Sequence, residues 1–462
     1  MLTTAALAGF TSCLEFADLP PEVVMRTRLL VLDCVGNMVR ARRDSESTPA
    51  LLAAVRAIGL TNGNARVFAD SESYSPAGAV LVNATLAHSL DFDDTHAAAI
   101  VHPAASVIPA ALAAAEMTGA SGAETLTAIV AGYEVALRLA LALPAGAHYG
   151  RGFHPSATCG VFGAAASAAR VFKLNESQTA SAFGIALSQS AGSLQFLANG
   201  AWTKRFQVGW AGMGGFVAAT LAREGFKGAA QPIEGEYGFL RSYAPAPQPD
   251  RVMEDIGQIW ELMKTGLKPY PSCRWGHAGI DAAIAMRAEC GLRVQDIDAV
   301  TLGISHAGMS LVGEPADKKI HPANIVDAQF SGPFVIATAL ATGRMEWDSY
   351  GLLQDPAIRA LMARVRCEMD PEMEAEFPLN MSGKLTVRSK GKTLTKTVIV
   401  PKGEPANFLS SGELSAKYSS LVDPVIGAAA GARLAGAIMG LDGLKHAAVL
   451  LNEGVAARQE QP

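Results

Sequence analysis

Long apolar segments, each broken by charged residues or by proline, constrain the fold of this chain more than any other feature. Glu134 and Arg138 interrupt the run LTAIVAGYEVALRLALAL, and His102-Pro103 interrupts the apolar run before it. A transmembrane helix needs about 20 consecutive, mostly apolar residues, so these runs predict buried helices of a soluble protein rather than membrane spans. The N-terminal segment lacks the basic region of a signal peptide, and a cytoplasmic location is therefore expected.

The composition indicates a large core that is built mainly from small aliphatic side chains. Hydrophobic residues make up 50% of the 462 residues, whereas charged residues make up 18% and aromatic residues 6%. A composition so rich in alanine and glycine favours close packing of helices. We predict that the glycine-rich run at 209–215 serves such packing rather than dinucleotide binding, because no strand precedes it. The net charge of −5 offers no basic surface for a nucleic acid. The six cysteines form no CxxC pair, so neither a zinc site nor a disulfide framework is predicted.

The spacing of the apolar residues predicts most of the secondary structure. In the first part of the chain we predict helices at residues 20–43, 48–59, 76–92, 103–118, 121–143, 155–172, 175–192 and 204–224. Later the pattern includes strands: residues 299–304 alternate in polarity, and residues 385–400 predict a hairpin with its turn at 390–392. Further helices are predicted at residues 277–290, 324–342, 353–366 and over much of 405–462.

This order of elements predicts a mainly α fold with two domains. The larger domain is all-helical, covers residues 1–265 and is completed by C-terminal helices at 403–462. The smaller domain, at residues 266–402, is α+β. Charged, glycine-punctuated chain ends fray, so residues 455–462 are expected to be disordered.

The stretch HSLDFDDTHAAAIVHP, which begins at His88, concentrates polar chemistry between apolar flanks. Charged side chains are rarely buried without a partner or a function, so this stretch is the first candidate for a site. Because His88, Asp91 and Thr95 are spaced three and four apart, a continuing helix places them on one face. On the same helix, Asp93 and Asp94 point elsewhere.

Three histidines, His102, His154 and His321, are each followed directly by a proline. Proline is favoured at the first helical position, so each histidine is predicted to be the N-cap of a helix. Helix N-termini suit carboxylates and phosphates, because they present free N–H groups and a positive dipole end. The same dipole disfavours an imidazolium, so we predict that His102 and His154 are neutral near pH 7.

Cationic residues outside this stretch suit a carboxylate substrate. Lys204 lies between apolar segments, where a lysine is rarely placed without a partner or a function. At the predicted domain boundary, the run KPYPSCRWGHAGIDAA supplies Lys268, Arg274 and His277. Arginine binds carboxylates in a bidentate fork, so a polycarboxylate is the ligand that this run favours. Cys273 in the same run is predicted to be a small buried thiol rather than a nucleophile.

Six motifs, in this order along the chain, resemble the MmgE/PrpD family: HSLDFDDTH…HP, GFHPSATCGVFGAAASAAR, GAWTKRFQVGWAGMGGFVAATLAREGF, EGEYGF, KPYPSCRWGHAGIDAA and DAQFS. The family includes 2-methylcitrate dehydratase, cis-aconitate decarboxylase and iminodisuccinate epimerase, which act on small di- or tricarboxylates without a metal or an organic cofactor. The resemblance implies a large helical domain, a smaller α+β lid, a cleft between them and a homodimer.

The resemblance also implies a site, residue by residue. The residues implied as catalytic are His102, His154, Lys204, Tyr149 and Asp91, and those implied to bind substrate are Thr95 and His277. To these we add Arg274 because of its charge. The dehydratase branch usually carries His-Pro-Ser-Asp-Asn where this chain has His-Pro-Ala-Ala-Ser, which weakens 2-methylcitrate as the substrate. Thr95 and His102 are also one residue further apart than in the decarboxylase branch, so the substrate is left open.

The function predicted from these residues is that of a cofactor-independent lyase, a dehydratase or a decarboxylase. It would move a proton at a carbon next to a carboxylate of a small di- or tricarboxylate. An epimerase of a dicarboxylate such as iminodisuccinate is the alternative, and a non-catalytic polycarboxylate-binding protein is another. In a different class, DFDDTH resembles the DDxxD motif of prenyl-transferring enzymes, but Ala97 occupies the position of the last aspartate.

Overall fold

The structure is a computed structural model that describes residues 3–454. Within that part of the chain, every helix is too short or too polar to cross a lipid bilayer. Residues 455–462, for which the sequence predicts disorder, lie outside the described residues.

The chain folds into two compact units. The first unit combines the chain up to Ser89, the segment Asp93–Gly266 and the chain from Ser411 onwards. The second unit consists of Leu90–Phe92 and Leu267–Ser410. The polar stretch that begins at His88 therefore contributes to both units.

The first unit is built from helices, and its strands are only two residues long. Up to Gly266 its helices are α1 (Thr3–Cys13), α2 (Pro21–Asp44), α3 (Thr48–Ala57), α4 (Pro76–Ala87), α5 (Ala104–Thr118), α6 (Gly122–Leu141), α7 (Ala145–Gly150), α8 (Pro155–Thr158), α9 (Gly160–Val171), α10 (Glu176–Leu187), α11 (Thr203–Arg223) and α12 (Phe239–Tyr243). Its strands are β1 (Ala65–Arg66), β2 (Ser73–Tyr74), β3 (Thr95–His96) and β4 (Thr265–Gly266). Local sequence explains several helix starts: Ser121 and Asn175, for example, form capping boxes before α6 and α10.

Small residues allow the central helices of the first unit to approach closely. A methyl group added to Gly209 of α11 would lie 2.0 Å from the Thr85 hydroxyl of α4. One added to Gly215 would lie 2.3 Å from the Val161 carbonyl oxygen of α9. Both distances are far inside van der Waals contact, so the interpretation of the glycine-rich run as a packing surface is confirmed.

Substitution of Gly215 by alanine should therefore lower the free energy of unfolding by roughly 1–3 kcal/mol, as overpacking does in other cores. The matched control is Gly436→Ala, because no atom of residues 3–454 outside its own helix lies within 4 Å of the position of the added carbon. That control should be neutral or stabilising by up to about 1 kcal/mol, since alanine favours helix. Urea unfolding followed by circular dichroism measures both, and equal effects would contradict the packing argument.

The second unit combines short helices with a four-stranded sheet. Its α-helices are α13 (His277–Cys290), α14 (His306–Gly308), α15 (Ala316–Ile320), α16 (Ile325–Gln329), α17 (Gly332–Thr342), α18 (Pro356–Met362) and α19 (Pro371–Glu376). Its strands are β5 (Ile297–Ile304), β6 (Val365–Met369), β7 (Gly383–Ser389) and β8 (Lys392–Val398).

The sheet of the second unit has the strand order β6-β5-β7-β8. Strand β5 runs parallel to β6 and antiparallel to β7, with Val300 opposite both Val365 and Val387. The hairpin of β7 and β8 turns through Lys390 and Gly391, whose φ angles are +51° and +74°. Positive φ at both central residues is the geometry of a tight hairpin turn, so the predicted hairpin and its turn are confirmed.

After the second unit the chain returns to the first with three helices. They are α20 (Ser411–Ile426), α21 (Ala428–Met439) and α22 (Val449–Glu453). Helix α20 packs along α2, which brings the C-terminal helices into contact with the core of the first unit. The mainly α fold predicted from the sequence is confirmed.

The predicted helix at residues 76–92 is too long. Helix α4 ends at Ala87, and Asp91 has a φ of +52°, which excludes a continuing right-handed helix. Thr95 lies in strand β3 rather than on a helix. The prediction that His88, Asp91 and Thr95 share one helical face is therefore wrong.

Four other predicted helices also differ from the structure, and the one at residues 175–192 ends early, at Leu187. The one at residues 155–172 is divided at Cys159, and the one at 324–342 is divided before Ser331, which caps α17. The one at residues 353–366 is wrong in its last part, where strand β6 begins at Val365. This segment forms a strand because it pairs with β5, and such pairing cannot be seen in the local sequence pattern.

Candidate active site

Three imidazole rings lie together in the first unit, although they come from three separate elements. His88 directly follows α4, His102 precedes α5 and His154 precedes α8. The ring centroid of His88 is 5.1 Å from that of His102 and 5.7 Å from that of His154. The structure thus brings together His102 and His154, which were predicted as site residues, and it adds His88 between them.

Two buried aspartates lie beside this group of histidines. Asp93 accepts a hydrogen bond from Nδ1 of His88 at 2.6 Å, and its carboxylate is 3.9 Å from Nδ1 of His102. Asp94 instead accepts from the Tyr133 hydroxyl at 2.8 Å, and burial raises the pKa of Asp94 well above its usual range. Asp93, which was predicted to lie off the helical face of His88, therefore contacts His88 directly.

The hydrogen bonds of His102 fix where its proton lies. Its Nδ1 is 2.5 Å from the carbonyl oxygen of Asp94 and 3.2 Å from the Thr95 hydroxyl. A carbonyl oxygen can only accept, so Nδ1 carries the hydrogen and Nε2 carries the lone pair when the ring is neutral. The backbone N–H of His102 donates to Ser156, and the N-cap of α5 is Pro103. The predicted N-cap role of His102 is therefore wrong by one position.

The opposite tautomer follows for His154. The side-chain amide of Gln207 lies 2.8 Å from Nδ1 of His154. Its orientation is fixed by Ser193, whose N–H donates to the Gln207 oxygen at 2.8 Å and whose carbonyl accepts from the Gln207 nitrogen at 3.1 Å. The amide nitrogen therefore donates to Nδ1, and the hydrogen of a neutral His154 lies on Nε2.

Burial lowers the pKa of His154 well below its ordinary value. The groups that lower it further are His88, Lys204 and His102. The prediction of a neutral ring is confirmed for His154, and His154 is the N-cap of α8 as predicted. The cause is different, however, because burial and neighbouring cationic groups account for the shift and the helix α8 is only one turn long.

Lys204 and Tyr149, the other predicted catalytic residues of the first unit, lie on different helices. Lys204 is half-buried in the first turn of α11, three residues before Gln207, so the two side chains share one helical face. The charge of Lys204 lowers the pKa of His154, so it acts on that ring. Tyr149 is half-buried on α7, and its catalytic role stays a prediction.

The remaining predicted site residues lie in the second unit. Asp91 forms a buried ion pair with Lys268, at 3.1 Å between Oδ1 and Nζ, and Nζ also donates to the Asp91 carbonyl oxygen at 3.0 Å. His277 is fully buried, and its Nε2 donates to the carbonyl oxygen of Ser272 at 3.1 Å. Burial lowers the pKa of His277 well below its ordinary value, with further lowering by Arg274 and Lys268.

Arg274, predicted to bind substrate, is buried and pairs with Glu404 at 2.7 Å within the second unit. Cys273 is buried, as predicted. His321, the third histidine before a proline, has a side chain that is 66% exposed. The N-cap of the helix that follows it, α16, is Asn324, so the predicted N-cap role of His321 is wrong.

Sequence reasoning missed several residues that shape the site. Asp93 and His88 were named in the polar stretch but not selected, and Gln207 and Ser193 were not given a role in the site. The sequence signal for Asp93 is its place in the acidic segment DFDD. The amide contact of Gln207 has no local sequence signal, because it depends on a segment 14 residues away.

The geometry suits acid–base chemistry on an anion. When neutral, His102 presents a lone pair at Nε2, whereas the neutral His154 presents a hydrogen at Nε2 and feels the charge of Lys204. Among residues 3–454, no group of three or more His, Cys, Asp or Glu side chains is arranged to hold a metal ion. Asp93 and Asp94 bind His88 and Tyr133 rather than facing outwards, so the arrangement gives no support to a diphosphate site.

Comparison with known proteins identifies the family. The MmgE/PrpD N-terminal domain matches residues 5–252, and the MmgE/PrpD C-terminal domain matches residues 270–441. The chain belongs to the MmgE/PrpD family.

Curated relatives that align with most of this chain include cis-aconitate decarboxylases. A cis-aconitate decarboxylase-like protein, oryM of Aspergillus oryzae, is 25% identical over 95% of this chain and 94% of its own. A cis-aconitate decarboxylase of Aspergillus terreus is 23% identical over 97% of this chain and 95% of its own. The cis-aconitate decarboxylase of Homo sapiens is 26% identical over 90% of this chain and 86% of its own.

Proposed function

We propose that this protein is a lyase that acts on a small di- or tricarboxylate and needs no metal or organic cofactor. The observation that supports this most directly is the pair of opposite tautomers at His102 and His154. The relation to cis-aconitate decarboxylases favours decarboxylation of cis-aconitate or of a close analogue. Dehydration of a hydroxy acid is the second outcome that the same side chains can serve.

In either reaction the electron pair that develops next to a carboxylate must be stabilised. Lys204 supplies positive charge for the resulting enediolate oxygens. When carbon dioxide leaves, the carbon–carbon bond pair moves into the adjacent unsaturated acid, and Nε2 of His102 transfers to carbon a proton that it has taken from solvent. When water leaves, Nε2 of His102 removes the carbon-bound proton and passes it to the departing hydroxyl, so His102 ends in its starting state. In both reactions Nε2–H of His154 donates a hydrogen bond to the enediolate oxygen.

The test is a panel of acids incubated with the purified protein in the presence of EDTA. The panel contains cis-aconitate, citrate, 2-methylcitrate and iminodisuccinate, and the products are followed by carbon dioxide release and proton NMR. We expect carbon dioxide release from cis-aconitate or an analogue. Activity that returns only when a metal ion is added would overturn the cofactor-free proposal, and inversion of iminodisuccinate alone would favour the epimerase.

Substitution of Lys204 by alanine distinguishes an enzyme from a binding protein. We expect kcat/KM to fall roughly 10- to 100-fold, as for loss of one charged hydrogen bond to a reacting group. Lys227→Ala is the matched control because Lys227 is exposed in the same unit, and it should leave kcat/KM unchanged. A wild-type protein that binds these acids in calorimetry without turning any of them over would instead support the non-catalytic alternative.

A further inference from the structure

We propose that Gln207 is a positioning residue that holds the hydrogen of His154 on Nε2 and thereby makes His154 a hydrogen-bond donor to the enediolate that forms in the site. This inference rests on the proposed function for its chemical consequence. The tautomer itself, however, can be measured in the absence of any substrate, so the two ideas fail separately.

The backbone segment that orients the Gln207 amide is also paired with the segment that carries His154. The backbone of Ser193 binds both atoms of the amide, at 2.8 Å and 3.1 Å. One residue earlier, the carbonyl oxygen of Gly192 accepts from the N–H of His154 at 3.1 Å. Phe153 and Ser193 form an isolated β-bridge between these segments. Because the segment of His154 and the segment that orients Gln207 are tied together, the amide and the ring keep a fixed relation.

In this orientation the Gln207 amide is compatible with only one neutral tautomer of His154. Its nitrogen donates and has no lone pair to offer, so a hydrogen on Nδ1 would face another hydrogen. The alternative orientation would place the amide oxygen against the Ser193 carbonyl and the amide nitrogen against the Ser193 N–H. That arrangement loses two hydrogen bonds, each worth about 1 kcal/mol, and the amide therefore selects the Nε2–H tautomer.

The charged groups around His154 act on its charge, whereas Gln207 acts on its tautomer. The ring faces His88 from the turn after α4, His102 from the segment before α5 and Lys204 from α11, and all three oppose an imidazolium. Asp93 favours it more weakly. The ring of His154 also lies 5.7 Å from that of Phe196, which carries no charge. A neutral ring results, and a neutral ring can donate a hydrogen bond to substrate only through the nitrogen that Gln207 leaves protonated.

Substitution of Gln207 by glutamate replaces this hydrogen-bond donor with an acceptor and barely changes the shape of the side chain. A carboxylate accepts hydrogen bonds, so Gln207→Glu should draw a hydrogen to Nδ1 and favour the imidazolium. An opposite charge within hydrogen-bond distance commonly raises a histidine pKa by about one unit or more. Residue 207 also lines a groove of about 860 Å³, beside Phe206 and Trp210, so the new side chain has room.

The experiment is ¹⁵N NMR of histidine-labelled full-length protein, with His154 assigned from its missing signals in His154→Gln. In the wild type we expect a protonated Nε2 and an unprotonated Nδ1 near pH 7. In Gln207→Glu we expect both nitrogens of His154 to be protonated to a higher pH, by roughly one unit or more. The pH profile of kcat should shift in the same direction while KM changes less than kcat.

The matched control is Gln195→Glu, which adds the same charge in the same groove from the short turn Leu194–Ala198. It should leave the His154 signals and the pH profile unchanged. Unaltered His154 nitrogen shifts in Gln207→Glu, or an Nδ1-protonated wild type, would overturn the positioning role. A correct tautomer in a protein that is inactive on every acid would leave this role intact and reject the proposed function.

Discussion

Replacement of His154 by alanine should lower the turnover number by roughly 10²-fold or more, because loss of one hydrogen-bond donor to a developing oxyanion costs on that scale. A similar loss is expected for His102→Ala, since general acid–base groups contribute about as much. The Michaelis constant should change much less, because the proposed roles of both rings are exerted in the transition state. Initial rates on the most active acid of the panel measure both parameters.

His321→Ala is the control that the chain itself provides. His321 also precedes a proline, but its side chain is 66% exposed. Its removal should leave turnover within experimental error. If His102→Ala and His154→Ala also keep turnover within about threefold in a folded protein, a general acid–base role is rejected. The two histidines would then be structural residues at the starts of α5 and α8.

Regular elements with strong local patterns were predictable from the sequence. Helix α13 begins and ends at the predicted residues, 277 and 290, because Gly291 adopts a positive φ that ends it. The hairpin turn at Lys390-Gly391 was equally visible, since Gly391 adopts its positive φ without a steric penalty and lies between two segments of strand-forming residues. In both cases the determinants lie within a few residues of one another.

The end of α4 was not predictable, because its determinants are distant. The apolar spacing continues past Ala87 without a glycine or a proline to stop it. The turn is instead stabilised by the bond of His88 to Asp93 and, in the second unit, by Lys268 on Asp91. Lys268 is 177 residues away in the sequence. No local pattern reports a contact of that kind.

The reactive residues of the site could be predicted from the sequence, but the positions of the protons on them could not. A resemblance to known motifs and the His-Pro steps were enough to select His102 and His154. Their tautomers depend on the Asp94 carbonyl oxygen and on the amide of Gln207. A backbone oxygen carries no sequence identity, and the orientation of an amide follows from tertiary structure alone.

The fold of the first unit also depends on a charge that the C-terminal helices supply. Lys417 of α20 lies 2.5 Å from Asp33 of α2, and their side chains are 6% and 1% exposed. Burial raises the pKa of Asp33, Lys417 opposes this, and the charge of Asp93 adds to the increase. The carboxylates at 33 and 93 therefore share one buried region, and Lys417 compensates part of their charge.

Lys417→Met should therefore lower the free energy of unfolding by roughly 3–5 kcal/mol, because it leaves a buried carboxylate without its cation. Lys173→Met, which breaks the exposed pair with Glu124, is the matched control and should cost at most about 1 kcal/mol. Urea unfolding measures both.

The loss caused by Lys417→Met should also depend on pH in a defined direction. Without Lys417, the pKa of Asp33 rises further above its unfolded value, so the folded variant binds a proton that the unfolded chain has released. Stability then falls as pH rises between those two pKa values, and the loss should be smaller at pH 5 than at pH 8. Adding Asp33→Asn removes the uncompensated charge and should restore most of the stability at pH 8. A loss that is equal at both pH values and persists in the double variant would show that Lys417 acts through packing of its side chain rather than through its charge.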